Sequence, residues 1–161
     1  NVDSKPVIQN SASSLSQQIC SGTPLAFNIV SSIPGTTYIW TSSISGPIDG
    51  STVTSGTSSS ITDAPVNTGS VAGTITYTIR PFHNGCEGAS VNLVVLVYPV
   101  PTASASNDVI CSGSNTIINI FPGPNNVAGT TFDWTVDSIN GNVNGAAPGN
   151  GSTINQLLTT D

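Results

Sequence analysis

Residues 73–79 read Gly-Thr-Ile-Thr-Tyr-Thr-Ile and indicate the fold class. Ile75, Tyr77 and Ile79 alternate with threonines, which is the period-2 pattern of a β-strand with one face buried. Residues 132–136 alternate in the same way, with Phe, Trp and Val on one side. No segment shows a convincing helical period. The sequence therefore predicts an all-β protein.

A tandem repeat organises the chain. Ile-Cys-Ser-Gly at 19–22 recurs at 110–113, a shift of 91 residues (20 to 111). Thr-Thr-Tyr-Ile-Trp at 36–40 matches Thr-Thr-Phe-Asp-Trp at 130–134, a shift of 94 residues (40 to 134). Since these markers keep nearly one register, the sequence predicts two copies of one structural module.

The two copies differ in extent. We expect a complete β-sandwich module at 1–99 and a second module at 100–161, joined at Tyr-Pro-Val-Pro 98–101. The first copy continues through the strand at 73–79 and a valine-rich strand at 91–97. The second copy has no counterpart of these strands within the sequence. It is therefore predicted to be incomplete.

Composition narrows the possible functions. Only 6% of the residues are charged, 44 of 161 are Ser or Thr, and the formal net charge is -6. With Lys5 and Arg80 as the only cations, the chain cannot form a basic stripe for nucleic acid. The longest apolar run is too short to span a membrane. Because the sequence has neither an initiator Met nor a signal peptide, we expect a mature or excised segment of a longer, secreted product.

The repeated markers resemble the PKD-like repeats of large bacterial surface adhesins exported by type IX secretion. The resemblance rests on both Ile-Cys-Ser-Gly motifs, the Trp-containing strands, residues 73–79, Gly-Cys-Glu-Gly at 85–88 and the closing strand before Pro99. It implies immunoglobulin-like β-sandwiches arranged in arrays on the cell surface, acting as stalk, filament or adhesin and sometimes in gliding motility. The family has no catalytic residues to carry over, so no enzyme activity is expected.

Three cysteines in a secreted chain suggest one disulfide and one free thiol. Cys20 and Cys86 lie in the same module with Trp40 between them, an order reminiscent of immunoglobulin-like sandwiches. We expect these two cysteines to pair, with two free buried thiols as the alternative. Cys111 stands where Cys20 stands in the repeat, and is expected to be unpaired.

The two tryptophans are expected to be core anchors. Trp40 and Trp134 occupy matched positions between alternating apolar residues, which favours burial over a role as sugar-stacking platforms. Two solvent-exposed indoles would instead favour sugar binding.

Few other residues point to chemistry. His83 is the only histidine, and no serine lies in a Gly-x-Ser-x-Gly turn, so neither a catalytic nor a metal site is indicated. No cofactor is expected; the alternative is a calcium ion bound by Asp49 or Asp63 with loop carbonyls. Ser138, in Asp-Ser-Ile, fits the O-glycosylation pattern of the bacteria that the resemblance implies. Asn150 begins a formal N-glycosylation sequon.

Two functions remain open at this stage: a structural spacer or filament subunit, and a glycan- or protein-binding module that uses loops such as 46–60. These loops contain no Trp, Tyr or Phe, which favours the spacer. The expected partners are neighbouring repeats or other copies of the chain, with surface glycans or proteins as the alternative.

The incomplete second module should leave an apolar face and strand edges open. We expect them to be covered either by residues beyond Asp161 in a longer parent or by strands from a neighbouring molecule. The segment 1–16 is one candidate donor.

Overall fold

The structure, a computed structural model, describes residues 3–49 and 53–161. The chain divides into two compact units, Asn1–Val100 and Pro101–Asp161. All regular structure in the described residues is β, which confirms the predicted all-β class. No described segment forms a helix that is long and apolar enough to cross a membrane.

The described residues of the first unit form ten strands. They are β1 (Ser16–Cys20), β2 (Leu25–Asn28), β3 (Thr37–Ser45), β4 (Ile48–Asp49), β5 (Ser55–Gly56), β6 (Ser60–Asp63), β7 (Val66–Asn67), β8 (Gly73–His83), β9 (Cys86–Glu87) and β10 (Val91–Tyr98).

These strands form one large sheet and two small ones. The large sheet has the order β1-β10-β8-β3-β5, with β9 paired to β8; β2 pairs with β6, and β4 with β7. Only β1 and β10 run parallel; the other pairs in this sheet are antiparallel. The apolar strand β10 is therefore central, between β1 and β8.

One hydrophobic core fills the space between the large sheet and the β2-β6 pair. On β8, Ile75, Tyr77 and Ile79 are fully buried, as their alternation with threonine predicts. Phe27 of β2 and Ile61 of β6 belong to the same buried cluster. The first unit is thus a β-sandwich.

The hairpin between β8 and β9 shows why the sequence turns where it does. Asn84 and Gly85 link the two strands with positive φ angles of 47° and 79°. A two-residue loop with both φ angles positive has the twist that suits antiparallel strands, and Asn-Gly adopts it at low cost.

The second unit contains eight short strands. They are β11 (Ala103–Ala105), β12 (Ser114–Asn115), β13 (Ile118–Pro122), β14 (Asp133–Trp134), β15 (Val143–Asn144), β16 (Gly149–Asn150), β17 (Thr153–Ile154) and β18 (Leu157–Thr160). Their sheets have the orders β11-β13-β17, β12-β18-β15 and β14-β16.

The two units share strand pairs and turns. β13 pairs with β17 as β2 pairs with β6, and β14 pairs with β16 as β3 pairs with β5. In the turn before β3, the Thr36 hydroxyl donates to the Ile33 carbonyl at 2.6 Å. In the turn before β14, Thr130 donates to Val127 at 2.6 Å. The sequence repeat is therefore a structural repeat.

Strand length is where the units differ. β3 has nine residues, whereas its counterpart β14 has two. β8 pairs with β3 along all nine of those residues, but β5 pairs with β3 only at Trp40 and Thr41. In the described part of the chain no strand stands in the place of β8 beside β14. The short β14 is what remains when only the β5-like partner is present.

Candidate functional site

Trp40 lies inside the first unit, with 4% of its surface exposed. Its Nε1 donates to the Ser58 carbonyl at 3.2 Å, so the buried indole keeps a hydrogen-bond partner. Its ring meets Tyr77 edge to face, with centroids 5.9 Å apart and planes at 77°. A Cβ at Gly56 on the facing strand would overlap the indole, so only glycine fits there.

Trp134 makes the same two kinds of contact as Trp40, but its indole is less buried. Its Nε1 donates to the Ala147 carbonyl at 3.3 Å. A Cβ at Gly149 would approach the ring to 2.5 Å. Trp134 is half-buried, and Phe132 beside it is half-buried too, so Trp134 is less enclosed than Trp40. The reason is the missing neighbour strand.

A glycine lies against each indole, and the sequence pattern did not predict it. Gly56 pairs with Trp40 across β5 and β3, and Gly149 pairs with Trp134 across β16 and β14. The two glycines are 93 residues apart (56 to 149), which is the repeat shift. That shift was the available signal. The spacing was not recognised because both glycines lie in loops that are rich in Gly and Ser throughout.

Asp63 is a buried carboxylate, considered above as a calcium ligand. Its Oδ2 accepts the Tyr77 hydroxyl at 2.7 Å and the Val53 amide at 3.1 Å. Its Oδ1 accepts the Ala64 amide at 2.8 Å. The carboxylate therefore accepts only protein donors, and it joins β6, β8 and the segment that precedes β5.

This network acts on Tyr77. Burial raises the pKa of the Tyr77 phenol well above its ordinary value, and the hydrogen bond to Asp63 and the negative charge of Asp63 raise that pKa further. Burial also raises the pKa of Tyr38, although a hydrogen bond from Ser31 opposes the shift. Both phenols thus stay neutral in the folded chain at physiological pH.

The second unit has a neutral version of the Asp63 position. Gln156 follows Asp63 by 93 residues (63 to 156). Its Oε1 accepts the Ala147 amide at 3.2 Å, as Asp63 accepts the Val53 amide. The second unit therefore keeps the hydrogen bond from a loop amide to this side chain. It has no carboxylate at this position to accept a tyrosine hydroxyl.

The structure corrects the expected Cys20–Cys86 disulfide, since both thiols are free. Cys20 pairs with Tyr98 at the end of the sheet where Gly73 begins β8. Cys86 pairs with His83 at the other end of β8. Ten residues of strand separate the two ends, about 33 Å at about 3.3 Å per residue. A disulfide needs Cα atoms within about 7 Å.

The remaining thiol and the histidine belong to different units. Cys111 is free and exposed in the second unit. His83 is half-buried at the β8–β9 hairpin of the first unit, and its Nδ1 is buried without a hydrogen-bond partner among the described residues. In residues 3–49 and 53–161, no three His, Cys, Asp or Glu side chains gather where a metal could bind.

The proposed modification sites are on the surface. Ser138 lies in an exposed, irregular stretch between β14 and β15. Asn150 is exposed on β16 and pairs with Asp133. Asp49 is exposed at the end of β4. Part of the loop 46–60, at residues 50–52, lies outside the described residues.

The outer face of the large sheet is rich in hydroxyls. Thr74, Thr76 and Thr78 of β8 point away from the core, opposite the buried Ile75 and Tyr77. Their cross-strand neighbours on β3 are also hydroxyl residues, Ser45, Ser43 and Thr41. These six positions carry no charge.

Three cavities lie in the second unit. Two of about 430 Å³ each share the segment 130–133; one continues to Pro101–Ala103 and the other to Asn150–Ser152. The third, about 120 Å³, is bounded by Ile110–Ser112, Val143 and Leu158–Thr160. All are open at the surface.

Comparison with known proteins gives a family and likenesses among solved structures. The family model described as PKD-like domain matches residues 17–101, just over half of the chain. No curated protein matches the chain. Among solved structures, the crystal structure of Dpr2 Ig1-Ig2 in complex with DIP-Theta Ig1-Ig3 is similar, at 15% identity and a TM-score of 0.38. That match covers 96% of this chain and 54% of the other, so this chain spans about half of its length.

Proposed function

The chain belongs to the PKD-like domain family, and from this premise we propose that it is a structural and adhesive segment of a repetitive bacterial cell-surface protein. In this proposal the parent is exported by type IX secretion and serves as stalk, filament or adhesin, with gliding motility among the processes it supports. The observation that carries the proposal is the strand-by-strand repeat. Two units built on the same strands, turns and Trp-Gly pairs are what a tandem array requires.

The surface chemistry supports an extracellular, passive role. Hydroxyl and amide side chains dominate, and only 6% of the residues are charged. The ion pair between Arg80 and Glu87, at 3.7 Å, is about half exposed and contributes at most about 1 kcal/mol. The fold therefore depends on its core and β-ladders.

The described residues also support a role without catalysis. His83 lies at a hairpin tip beside Cys86, away from the Asp63–Tyr77 network that holds the buried carboxylate. That carboxylate already accepts three protein hydrogen bonds. A catalytic base needs hydrogen-bond reach to a substrate instead.

A second candidate function is binding, and one observation favours it. The uncharged ladder of hydroxyls on the outer face of β3 and β8 could form hydrogen bonds with a neutral glycan or protein. A face this small would bind weakly, and an array would multiply the effect by avidity. Here the binding surface is a sheet face rather than the loop 46–60.

Surface labelling tests the location. Antibodies against the first unit should stain intact cells of the producing bacterium, and external protease should remove the stain. Disruption of the type IX pathway should abolish surface staining. Staining that appears only after the cells are permeabilised would contradict the proposal.

Two measurements distinguish the two candidate roles: the length of concatenated first units, and their adhesion to cells or glycans. A series of concatenated first units should lengthen by a constant increment per copy in small-angle scattering if the array is a spacer. Replacement of Thr74, Thr76 and Thr78 by Lys should leave that increment unchanged. It should reduce cell or glycan adhesion only if the sheet face binds.

A further inference from the structure

Asparagine is followed directly by glycine at four places in the chain, and three of them lie within residues 140–151. The four steps are Asn84-Gly85, Asn140-Gly141, Asn144-Gly145 and Asn150-Gly151. Asparagine before glycine is prone to lose its side-chain amide, because glycine has no Cβ to shield its own backbone nitrogen. The fold decides which of the four steps can react.

The reaction joins the asparagine side chain to the next peptide group. The glycine backbone nitrogen gives up its proton and adds to the side-chain carbonyl carbon. The bond to the side-chain nitrogen breaks, ammonia leaves with a proton from water, and a five-membered succinimide ring closes. Water then opens the ring at either carbonyl, which gives aspartate or isoaspartate. The ring closes only if the peptide group can rotate about the asparagine Cα–C bond and bring the glycine nitrogen to the side chain.

The step at Asn150 is held on both sides. The Gly151 amide, which would be the nucleophile, donates to the Phe132 carbonyl at 2.9 Å. Asn150 itself lies on β16 and pairs with Asp133 of β14. Rotation of this peptide group would break that hydrogen bond and disturb the strand pair.

The step at Asn144 is packed against a neighbouring strand. Asn144 lies on β15 and pairs with Thr159 of β18. Its Nδ2 donates to Oδ1 of Asp161 at 3.5 Å. A Cβ at Gly145 would collide with the Leu157 carbonyl oxygen, so the peptide group has little room to turn.

The step at Asn84 is the turn of a hairpin. His83 and Cys86 pair on either side of it. The positive φ of 47° at Asn84 belongs to the two-residue turn that keeps β8 and β9 in register. Rotation towards ring closure would leave that turn geometry and break the pair.

Asn140 has none of these three restraints. It ends a stretch of exposed, irregular residues, 135–140, that follows β14. Within the part of the chain that the structure describes, neither Asn140 nor the Gly141 amide forms a hydrogen bond. A Cβ built at Gly141 meets no atom within 4 Å, so the space around this peptide group is open. A segment with so few contacts can change its backbone angles at little cost.

We infer that Asn140 is a site of spontaneous succinimide formation, which converts it to aspartate or isoaspartate as the chain ages. The product carries a carboxylate that is ionised at neutral pH, so the formal net charge changes from -6 to -7. The conversion is irreversible, so the converted fraction records the time since synthesis. The inference does not depend on the cell-surface location proposed above.

The test follows the four asparagines in the 161-residue chain, incubated at neutral pH either folded or unfolded in urea. Pepsin digestion in acid, followed by mass spectrometry, measures the conversion of each asparagine. In urea the four should convert at similar rates. In the folded chain Asn140 should convert nearly as fast as in urea, whereas the other three should slow by about tenfold or more, because their restraints must first open.

Two variants serve as controls. Asn140→Gln should remain unconverted, because glutamine would have to close a larger ring, and its melting temperature should equal that of the unsubstituted chain. Asn140→Asp should elute from an anion exchanger with the acidic species that the unsubstituted chain accumulates. Isoaspartyl methyltransferase should methylate the aged unsubstituted chain but neither aged variant.

Two results would overturn the inference. One is conversion of Asn84, Asn144 or Asn150 in the folded chain at least as fast as that of Asn140. The other is conversion of Asn140 that is about tenfold or more slower in the folded chain than in urea, which would mean that the loop restrains this step as well.

Discussion

The Tyr77 hydroxyl donates to the buried Asp63 carboxylate at 2.7 Å, across the core between β8 and β6. This bond ties the large sheet to the smaller one, because β6 belongs to the β2–β6 pair. Tyr77→Phe leaves Asp63 with one donor fewer while the aromatic packing is kept. We expect a loss of about 1–3 kcal/mol in the free energy of unfolding, measured by denaturant titration. The exposed Tyr98→Phe serves as control and should change it little; an equal loss in both variants would contradict this role.

The same bond predicts instability in alkali. The folded-state pKa of Tyr77 lies above the ordinary value of about 10, so the unfolded chain loses this proton first. The contribution to stability is complete below about pH 10 and is lost as the pH rises further, by up to about 1.4 kcal/mol per pH unit. Tyr38 adds in the same direction. Tyr77→Phe should therefore remove about half of the alkaline slope, measured as unfolding free energy against pH; an unchanged slope would refute the assignment.

The glycines beneath the indoles should differ in tolerance. Gly56→Ala forces a methyl group into the enclosed Trp40 ring and should cost about 1–3 kcal/mol. Gly149→Ala meets Trp134, which is open on one side and can move, and should cost less. Ser55→Ala on the same strand as Gly56 is the matched control, expected within about 0.5 kcal/mol. Equal costs at both glycines would mean that Trp134 is as confined as Trp40.

The indoles should also differ in solvent access. In the Trp134→Phe chain, Trp40 is the remaining tryptophan, and acrylamide should quench its fluorescence weakly. In the Trp40→Phe chain, Trp134 should be quenched several-fold more strongly, because it is half-buried. Similar quenching constants would show that the second unit is closed in solution.

The thiols offer a direct check on strand register. Native protein should titrate three thiols, with the exposed Cys20 and Cys111 reacting faster than the half-buried Cys86. Reducing agent should leave the melting temperature unchanged. A Cys20–Cys86 crosslink in non-reducing mass spectrometry would require a different register between β1, β10 and β8.

Sequence was informative where the pattern is local or repeated. The alternation at 73–79 predicted a half-buried strand, and the Ile-Cys-Ser-Gly repeat predicted two related copies. It misled on the disulfide, because the order Cys20, Trp40, Cys86 does not reveal at which end of β8 each cysteine lies. Pairing register sets that distance.

Trp134 shows a second limit. Its alternating neighbours are as apolar as those of Trp40, so pattern alone predicts equal burial. Burial also depends on the neighbouring strand in the sheet, and in the described structure no strand lies beside β14 in the place that β8 has beside β3. The Trp-Gly pairs were missed for a related reason: a glycine in a Ser-rich loop carries no sign of the ring that will lie on it.

The parallel pairing of β1 with β10 has a mechanical consequence. A load that enters the first unit at Ser16 and leaves at Tyr98 pulls two parallel strands in opposite directions along their length. The ladder continues beyond the strand pair at both ends, with Val94 donating to the Leu15 carbonyl and Ser21 to the Tyr98 carbonyl, each at 2.8 Å. These bonds lie across the pulling direction and must break together in shear rather than one at a time. The first unit is therefore built to resist extension along the axis on which an array would be stretched.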